Sequence, residues 1–244
     1  VCYYESAEKF QACIFFLHGN KLSGKSFKNF LSSGLAREYT LIALDLPGFG
    51  ESAVPISMKD QITWNFTKEV IVQFIESFNF HSITLCGHSL GGNLAIECIP
   101  NIKNCIGLIT LCAPPLASMQ AATSAYLPNE HGAKSFIPLL SRQEMQGIAH
   151  ELSQKASNRD ILYEMVEKVD PETVATLYES FSIELINEIE IINKLSFPYL
   201  DIQLSDDPFV NHEYYRKSGI HNIFGKKPLI LHGSGHVPQL DYPD

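Results

Sequence analysis

Residues 87–91 read Gly-His-Ser-Leu-Gly, and their position between two different apolar patterns constrains the fold more than any other feature of the sequence. They follow an apolar, β-branched run that ends at Leu85, and they precede a helix-compatible run over residues 93–99. A Gly-x-Ser-x-Gly segment in this context predicts a sharp strand-to-helix turn with the serine oxygen exposed, because the glycines avoid clashes between neighbouring Cβ atoms. Ser89 is therefore a candidate nucleophile, and the alternative is a serine in a glycine-rich loop.

Strand-like apolar runs alternate with helical patterns along most of the chain. Strands are predicted at residues 1–4, 12–17, 39–44, 82–85, 105–111, 199–204 and 228–231. Apolar residues spaced by three and four predict an amphipathic helix over residues 62–78. The alternation predicts an α/β fold with a mostly parallel sheet, right-handed crossovers and helices on both faces. Ligands of such sheets bind beyond the carboxyl ends of the strands, so we look for the site there.

Residues 116–196 lack a strong strand pattern and carry charge-rich helical segments at 142–156, 160–169 and 171–187. Asp170 followed by Pro171 is a typical start signal for the last of these helices. We interpret residues 116–196 as a helical cap inserted between a first core part, 1–115, and a second core part, 197–244. The alternative is an ordinary extra helical layer packed on the sheet.

Composition narrows the classes of partner and compartment. A net charge of -9 with only 18 Lys and Arg gives no cationic surface for nucleic acid. No apolar run is long enough to span a membrane, and the first residues show no basic segment followed by an apolar signal core. The six cysteines form no Cys-x-x-Cys pair, which favours free thiols in a reducing cytoplasm. We expect a cytoplasmic protein without membrane insertion, metal or cofactor, and the sequence leaves its oligomeric state open.

A serine hydroxyl becomes a good nucleophile when an imidazole takes its proton and a carboxylate orients that imidazole. Both side chains follow later predicted strands, in the order Ser, Asp, His. We predict Asp207 as the carboxylate, with the adjacent Asp206 as its alternative. We predict His236 rather than His232 as the base, because the small residues around His236 let its ring reach Ser89.

Acyl transfer also needs hydrogen-bond donors for the developing oxyanion. The backbone N–H of Leu90, directly after the candidate nucleophile, is one predicted donor. The second is the N–H of Asn20, in the loop after the 12–17 strand. The Asn20 amide can hold a substrate carbonyl or ring oxygen, or the residue is a simple turn former.

The sequence segments at 18–20, 45–52, 87–92, 207–208 and 235–236 together resemble the α/β-hydrolase superfamily. His-Gly-Asn at 18–20, the two prolines at 114–115 and Asp-Asp-Pro-Phe-Val at 206–210 are similar to the N-acyl homoserine lactone hydrolases of that fold. This resemblance implies metal-free attack by Ser89 on a lactone carbonyl, with Asn20 close to the ring. Those enzymes also use a cap tyrosine, and this chain has Ile148 near the matching place. Haloalkane dehalogenases and epoxide hydrolases resemble the chain less, because their nucleophile is an aspartate.

We therefore expect a serine hydrolase that cleaves a small or medium acyl ester or lactone through an acyl-enzyme. The cap is expected to supply an apolar pocket from Met119, Tyr126, Phe136, Ile137, Met145 and Ile148. Another carboxylesterase, a thioesterase or a carbon-carbon bond hydrolase would use the same three residues. A ligand-binding receptor with a vestigial triad is the alternative from a different class.

Overall fold

The computed structural model describes residues 1–243, so Asp244, the last residue of the predicted second core part, lies outside them. Its strands are β1 (Tyr3–Glu5), β2 (Ala12–Leu17), β3 (Thr40–Leu44), β4 (Ser82–His88), β5 (Cys105–Leu111), β6 (Leu200–Asp206) and β7 (Leu229–Ser234). They form one seven-stranded sheet in the order β1-β3-β2-β4-β5-β6-β7. β1 is antiparallel to β3 and the other pairings are parallel. The predicted α/β class with a mostly parallel sheet is confirmed.

The helices lie between the strands and after the last one. They are α1 (Lys28–Leu31), α2 (Trp64–Glu76), α3 (Leu90–Cys98), α4 (Met119–Ala125), α5 (Glu130–Lys134), α6 (Arg142–Leu152), α7 (Ala156–Glu167), α8 (Pro171–Glu184), α9 (Glu188–Lys194) and α10 (Pro238–Asp241). A 3-10 turn, His212–Arg216, follows β6. Helices α4, α5 and α9 are not anticipated by any sequence pattern we identified.

Two predicted boundaries near the Gly-x-Ser-x-Gly segment are wrong. β4 continues past Leu85 to His88 because it stays paired with β5 up to Leu111. α3 begins at Leu90 rather than Asn93, so Gly91 and Gly92 lie inside the helix. The turn between strand and helix is therefore a single residue, Ser89.

The central strands β2, β3 and β4 are buried on both faces, which explains their continuous apolar runs. Phe15 of β2 belongs to the larger core cluster, together with Trp64 of α2 and Leu94 of α3. Its neighbour Phe16 belongs to the cluster on the other face, with Phe27 of the segment that precedes α1. Alternate side chains of one strand thus enter separate cores.

The helices between β5 and β6 pack in two different ways. Leu177 of α8 and Ile192 of α9 join the larger sheet cluster. Leu162 of α7 and Leu152 of α6 form a separate cluster with Val237, outside the sheet. The separation of residues 116–196 as a cap remains a prediction, and α8 and α9 pack as the alternative of an extra layer describes.

No helix in residues 1–243 combines the length and the apolar character needed to cross a bilayer. The six cysteines are all free within the described chain, and most of them are buried. The cytoplasmic location stays a prediction.

Candidate active site

Ser89 occupies a strained backbone conformation between β4 and α3. Its φ of 50° and ψ of -123° lie outside the regions that L residues favour, at a cost of about 1–3 kcal/mol. Two backbone hydrogen bonds hold it there: the Ser89 N–H donates to the Leu111 carbonyl at 2.9 Å, and the Gly92 N–H donates to the Ser89 carbonyl at 2.7 Å. Ser89 is half-buried between buried neighbours and lines a cavity of about 640 Å³.

The glycines flanking Ser89 permit close backbone contacts. A Cβ atom on Gly87 would lie 2.2 Å from the Gly91 carbonyl oxygen. A Cβ atom on Gly91 would lie 2.3 Å from the Leu17 carbonyl oxygen at the end of β2. The two glycines of the Gly-x-Ser-x-Gly segment therefore also allow α3 to begin in contact with the end of β2.

Asp207 and His236 form a buried hydrogen-bonded pair, as the sequence predicts. His236 Nδ1 lies 2.7 Å from Asp207 Oδ2, and both side chains are buried. The other carboxylate oxygen, Oδ1, accepts hydrogen bonds from the N–H groups of Phe209 at 2.8 Å and Val210 at 3.2 Å. These donors orient the carboxylate, so that Oδ2 faces the imidazole and Nδ1 carries the proton.

The two alternative residues, Asp206 and His232, lie outside the buried Asp207–His236 pair. The Asp206 side chain is exposed and its Oδ2 accepts a hydrogen bond from Ser205 Oγ at 2.9 Å. His232 is also exposed and lies on β7 itself. Of the open choices, the geometry favours Asp207 and His236.

The His236 loop is fixed by contacts from three directions. Its N–H donates to the Leu152 carbonyl at the end of α6, at 2.8 Å. Its carbonyl accepts a hydrogen bond from His88 Nε2 at 2.6 Å, and burial lowers the pKa of His88 well below its usual value. His88 is therefore a neutral ring with its proton on Nε2. The ring of Phe209 meets the His236 ring edge to face at 4.8 Å between centroids.

Ser89 and His236 line the same cavity, yet no hydrogen bond joins their side chains in residues 1–243. Catalytic hydrogen bonds are often long in free enzymes and tighten when substrate binds. The contact between Ser89 Oγ and His236 Nε2 stays a prediction.

The two predicted oxyanion donors also reach this cavity. Leu90 is the first residue of α3, and the first N–H groups of a helix have no partner within the helix. The partial positive charge of the helix N-terminus lies at the same place. Asn20 follows β2, whose carboxyl end is paired with β4 at Gly87. Both residues therefore line the wall that includes Ser89.

The Asn20 side chain contacts protein groups. Its Nδ2 donates to the Ser135 carbonyl at 3.0 Å and lies 3.3 Å from Ser135 Oγ. Its Oδ1 accepts a hydrogen bond of 2.5 Å from the Tyr178 hydroxyl. Sequence reasoning missed Tyr178, because its helix carries no motif that distinguishes this tyrosine from the others.

Other residues that carry the family resemblance hold neighbouring loops together. Asp45 Oδ1 accepts from the Gly24 N–H at 2.7 Å, and its Oδ2 accepts from the Glu51 N–H at 2.8 Å. His18 Nε2 accepts from the Leu46 N–H at 3.0 Å, and burial lowers the pKa of His18 so that its ring is neutral. These side chains have a structural role here.

The cavity has a volume of about 640 Å³, within the usual range of small-molecule sites. Among the described residues its wall contains no Asp, Glu, Lys or Arg. Its apolar and aromatic members are Leu90, Leu116, Met119, Ala122, Tyr126, Leu127, Pro128, Ala133, Phe136, Ile148, Leu152, Tyr178, Phe181 and Phe209. The arrangement suits an uncharged molecule with an apolar part.

The predicted pocket residues are partly correct. Met119, Tyr126, Phe136 and Ile148 line the cavity, whereas Ile137 and Met145 are not among its lining residues. Ile137 is 44% exposed, because the segment after α5 runs along the surface. Ile148 of α6 lines the cavity, and so do two tyrosines, Tyr126 at the end of α4 and Tyr178 of α8.

Three possible metal-ligand atoms, from Cys112, Asp207 and His236, lie within 4.8 Å of one another. Asp207 and His236 use the facing atoms for their mutual hydrogen bond. Burial, followed by the charge of Asp207, raises the pKa of the Cys112 thiol well above its usual value, so Cys112 is a neutral thiol beside this pair. This geometry favours the hydrogen-bonded pair over a metal site.

A comparison with known proteins identifies a protein family whose sequence pattern this chain matches. A model of the alpha/beta hydrolase family matches residues 14–244. "Putative esterase/lipase 1" of Mycoplasma pneumoniae is 33% identical over 86 residues, which cover 34% of this chain and 29% of that protein. "Probable serine hydrolase" of Drosophila melanogaster is 37% identical over 79 residues, 32% of this chain and 23% of that protein. The matched segments thus span under a third of these two curated relatives.

Solved structures share the fold over nearly the whole chain. A mutant of the N-acyl homoserine lactonase AidH, in complex with N-hexanoyl homoserine lactone, superposes with a TM-score of 0.89 at 22% identity. That match covers 99% of this chain and 88% of the other. A thermophilic esterase from Thermogutta terrifontis gives 0.76 at 19% identity, with coverages of 99% and 88%. At these identities the likeness shows the fold alone.

Replacing Gly87 by Ala is expected to destabilise the protein and to disturb the Ser89 turn. The added methyl group would overlap the backbone of Gly91, so α3 must shift, and we expect a loss of about 2–4 kcal/mol in the free energy of unfolding. Urea denaturation measures it. Gly34→Ala is the matched control, since a Cβ atom there meets nothing within 4 Å. Equal stability of the two variants would contradict the close approach.

Proposed function

The chain belongs to the alpha/beta hydrolase family, and we propose that it is a serine hydrolase that cleaves a neutral carboxylic ester or lactone through an acyl-enzyme. The observation that carries the proposal is the buried Asp207–His236 hydrogen bond of 2.7 Å at the cavity that also receives Ser89. The strained turn at Ser89 supports it, because such strain concentrates at functional sites. The names of the curated relatives agree with esterase or serine hydrolase chemistry.

In the proposed reaction Ser89 Oγ attacks the carbonyl carbon while His236 Nε2 takes the hydroxyl proton. Asp207 stabilises the imidazolium that forms and keeps the ring in the required tautomer. The carbonyl oxygen becomes an oxyanion, which the N–H groups of Leu90 and Asn20 stabilise by roughly 2.7–4 kcal/mol each. His236 then gives its proton to the leaving oxygen, and the acyl group remains on Ser89. Water, activated by His236, releases the acid by the same steps.

The cavity wall limits the substrate class. A charged substrate would lose its hydration without gaining a partner, since the described wall offers no formal charge. A neutral ester with an apolar acyl chain loses little on entering and gains from the burial of that chain. The proposal therefore favours uncharged esters and lactones over acyl groups carried on a charged leaving group.

An N-acyl homoserine lactone is our specific candidate within that class. The motifs at 18–20, 114–115 and 206–210 support it, and so does the fold shared with AidH, a lactonase of such compounds. A neutral lactone ring with an amide-linked acyl chain also suits an apolar cavity that carries a few neutral polar groups.

A serine-directed fluorophosphonate probe is expected to label the wild-type protein and to leave Ser89→Ala unlabelled. Asp207→Asn should lower the labelling rate by about 10³–10⁴-fold, because the imidazole loses the carboxylate that fixes its tautomer. Asp206→Asn is the adjacent control and should label within twofold of wild type. A folded wild type that resists the probe, or equal losses in both aspartate variants, would count against the proposal.

N-Acyl homoserine lactones of graded chain length are expected to release protons when mixed with the protein, since ring opening produces an acid. A pH indicator follows the reaction, with Ser89→Ala as the inactive control. Turnover of a short p-nitrophenyl ester, measured in parallel, distinguishes an enzyme from a receptor that only binds ligand. Ester turnover without ring opening at any chain length would remove the lactonase assignment and leave the esterase.

A further inference from the structure

The loop that carries Asn20 is itself strained. Residues 19–22 form a tight turn, closed by a hydrogen bond of 3.2 Å from the Leu22 N–H to the Gly19 carbonyl. Lys21, in the middle of this turn, has a φ of 59°, a left-handed conformation that L residues other than Asn and Asp rarely adopt. Residues in such conformations persist when surrounding structure fixes them.

Three side-chain hydrogen bonds fix this turn from outside. Asn20 Nδ2 donates to the Ser135 carbonyl at 3.0 Å, and Tyr178 donates its hydroxyl proton to Asn20 Oδ1. Lys21 Nζ donates to the Ile137 carbonyl at 3.0 Å. All three partners lie between β5 and β6, more than 110 residues away along the chain. We call these three contacts the turn brace.

Tyr178 supplies one hydrogen bond of the turn brace and also contacts the second residue that the brace holds. Its hydroxyl holds Asn20, and its ring lies 5.7 Å from the Lys21 ammonium group, a cation-π distance. The Phe136 ring packs against it at 5.3 Å between centroids. Tyr178 therefore contacts both central residues of the strained turn and the segment that follows α5.

The turn brace changes the role of the Asn20 amide. Its oxygen is taken by Tyr178, and its nitrogen is within hydrogen-bonding distance of two oxygens of Ser135. An amide has two N–H donors, and both have an acceptor within the protein. The backbone N–H of Asn20 is the group left for an oxyanion.

We propose that Tyr178 and Lys21 are positioning residues that hold the 19–22 turn so that the Asn20 N–H faces the oxyanion formed at Ser89. The inference rests on the proposed function, because it concerns the transition state of that reaction. It assigns the Asn20 side chain to the turn brace rather than to the substrate. Oxyanion donors act through fixed geometry, so loosening the turn slows the chemical step more than it weakens substrate binding.

Tyr178→Phe removes one hydroxyl group and tests the turn brace directly. With a p-nitrophenyl ester we expect kcat to fall about tenfold while KM stays within twofold, the pattern of an interaction lost only in the transition state. Asn20→Ala should give a similar or larger loss. In the double variant the second change should add nothing, because both remove the same contact.

Tyr163→Phe is the matched control, since Tyr163 donates its hydroxyl to Glu167 on an exposed helix surface. It should keep wild-type kcat. A merely structural role of Tyr178 would give losses in kcat that multiply with those of Asn20→Ala. Multiplying losses, or a wild-type kcat in Tyr178→Phe, would overturn the inference.

Lys21→Met supplies a second variant that separates positioning from stability. Burial lowers the pKa of Lys21 to about 8, so its replacement by an apolar side chain should leave thermal stability equal or higher. We expect kcat to fall nonetheless, because the contact with Ile137 is lost. A wild-type kcat in this variant would overturn the inference even if Tyr178→Phe failed to fold. An inactive wild-type protein that also resists the fluorophosphonate would instead overturn the proposed function.

Discussion

The backbone strain at Ser89 is the constraint on which the site depends. A residue with a φ of 50° and a ψ of -123° needs a strand before it and a helix after it that are both held in place. β4 is held by pairing with β2 and β5, and α3 is held by the close approach of Gly91 to the end of β2. The sheet and the first turn of α3 thus act as one support for the serine.

The other candidate site residues lie on the same side of the sheet as Ser89 because parallel strands end at the same edge. Asn20 follows β2, Asp207 follows β6 and His236 follows β7, as this topology requires. The helices between β5 and β6 then contact two of these loops. The Leu152 carbonyl of α6 accepts a hydrogen bond from the His236 N–H, and the Tyr178 hydroxyl of α8 donates one to Asn20 Oδ1. The helices that line the cavity therefore also hold the His236 loop of the proposed triad and the Asn20 turn of the proposed oxyanion site.

The sequence predicts most of the sheet and the pairing of Asp207 with His236 because these features have local signals. Apolar runs mark the strands, and each candidate residue stands directly after one of them. Tyr178 has no such signal, since its hydrogen bond joins residues 158 positions apart and depends on how α8 packs. Met145 lies on α6, and a one-dimensional pattern does not tell which side of a helix meets a cavity. Ile137 lies after the end of α5, in a surface segment that no sequence pattern marks. The short helices α4, α5 and α9 are missed for a similar reason, because each has seven residues or fewer and too few turns to show a period.

The proposed reaction requires that the acyl group becomes covalently attached to Ser89. Mixing the protein with excess p-nitrophenyl ester, quenching in acid within the first turnover and measuring the intact mass tests it most directly. We expect a transient mass increase equal to one acyl group, carried by the peptide that contains Ser89 and absent from Ser89→Ala. Continuing ester turnover by the wild type, with an unmodified mass at every quench time and equal activity in Ser89→Ala, would contradict it.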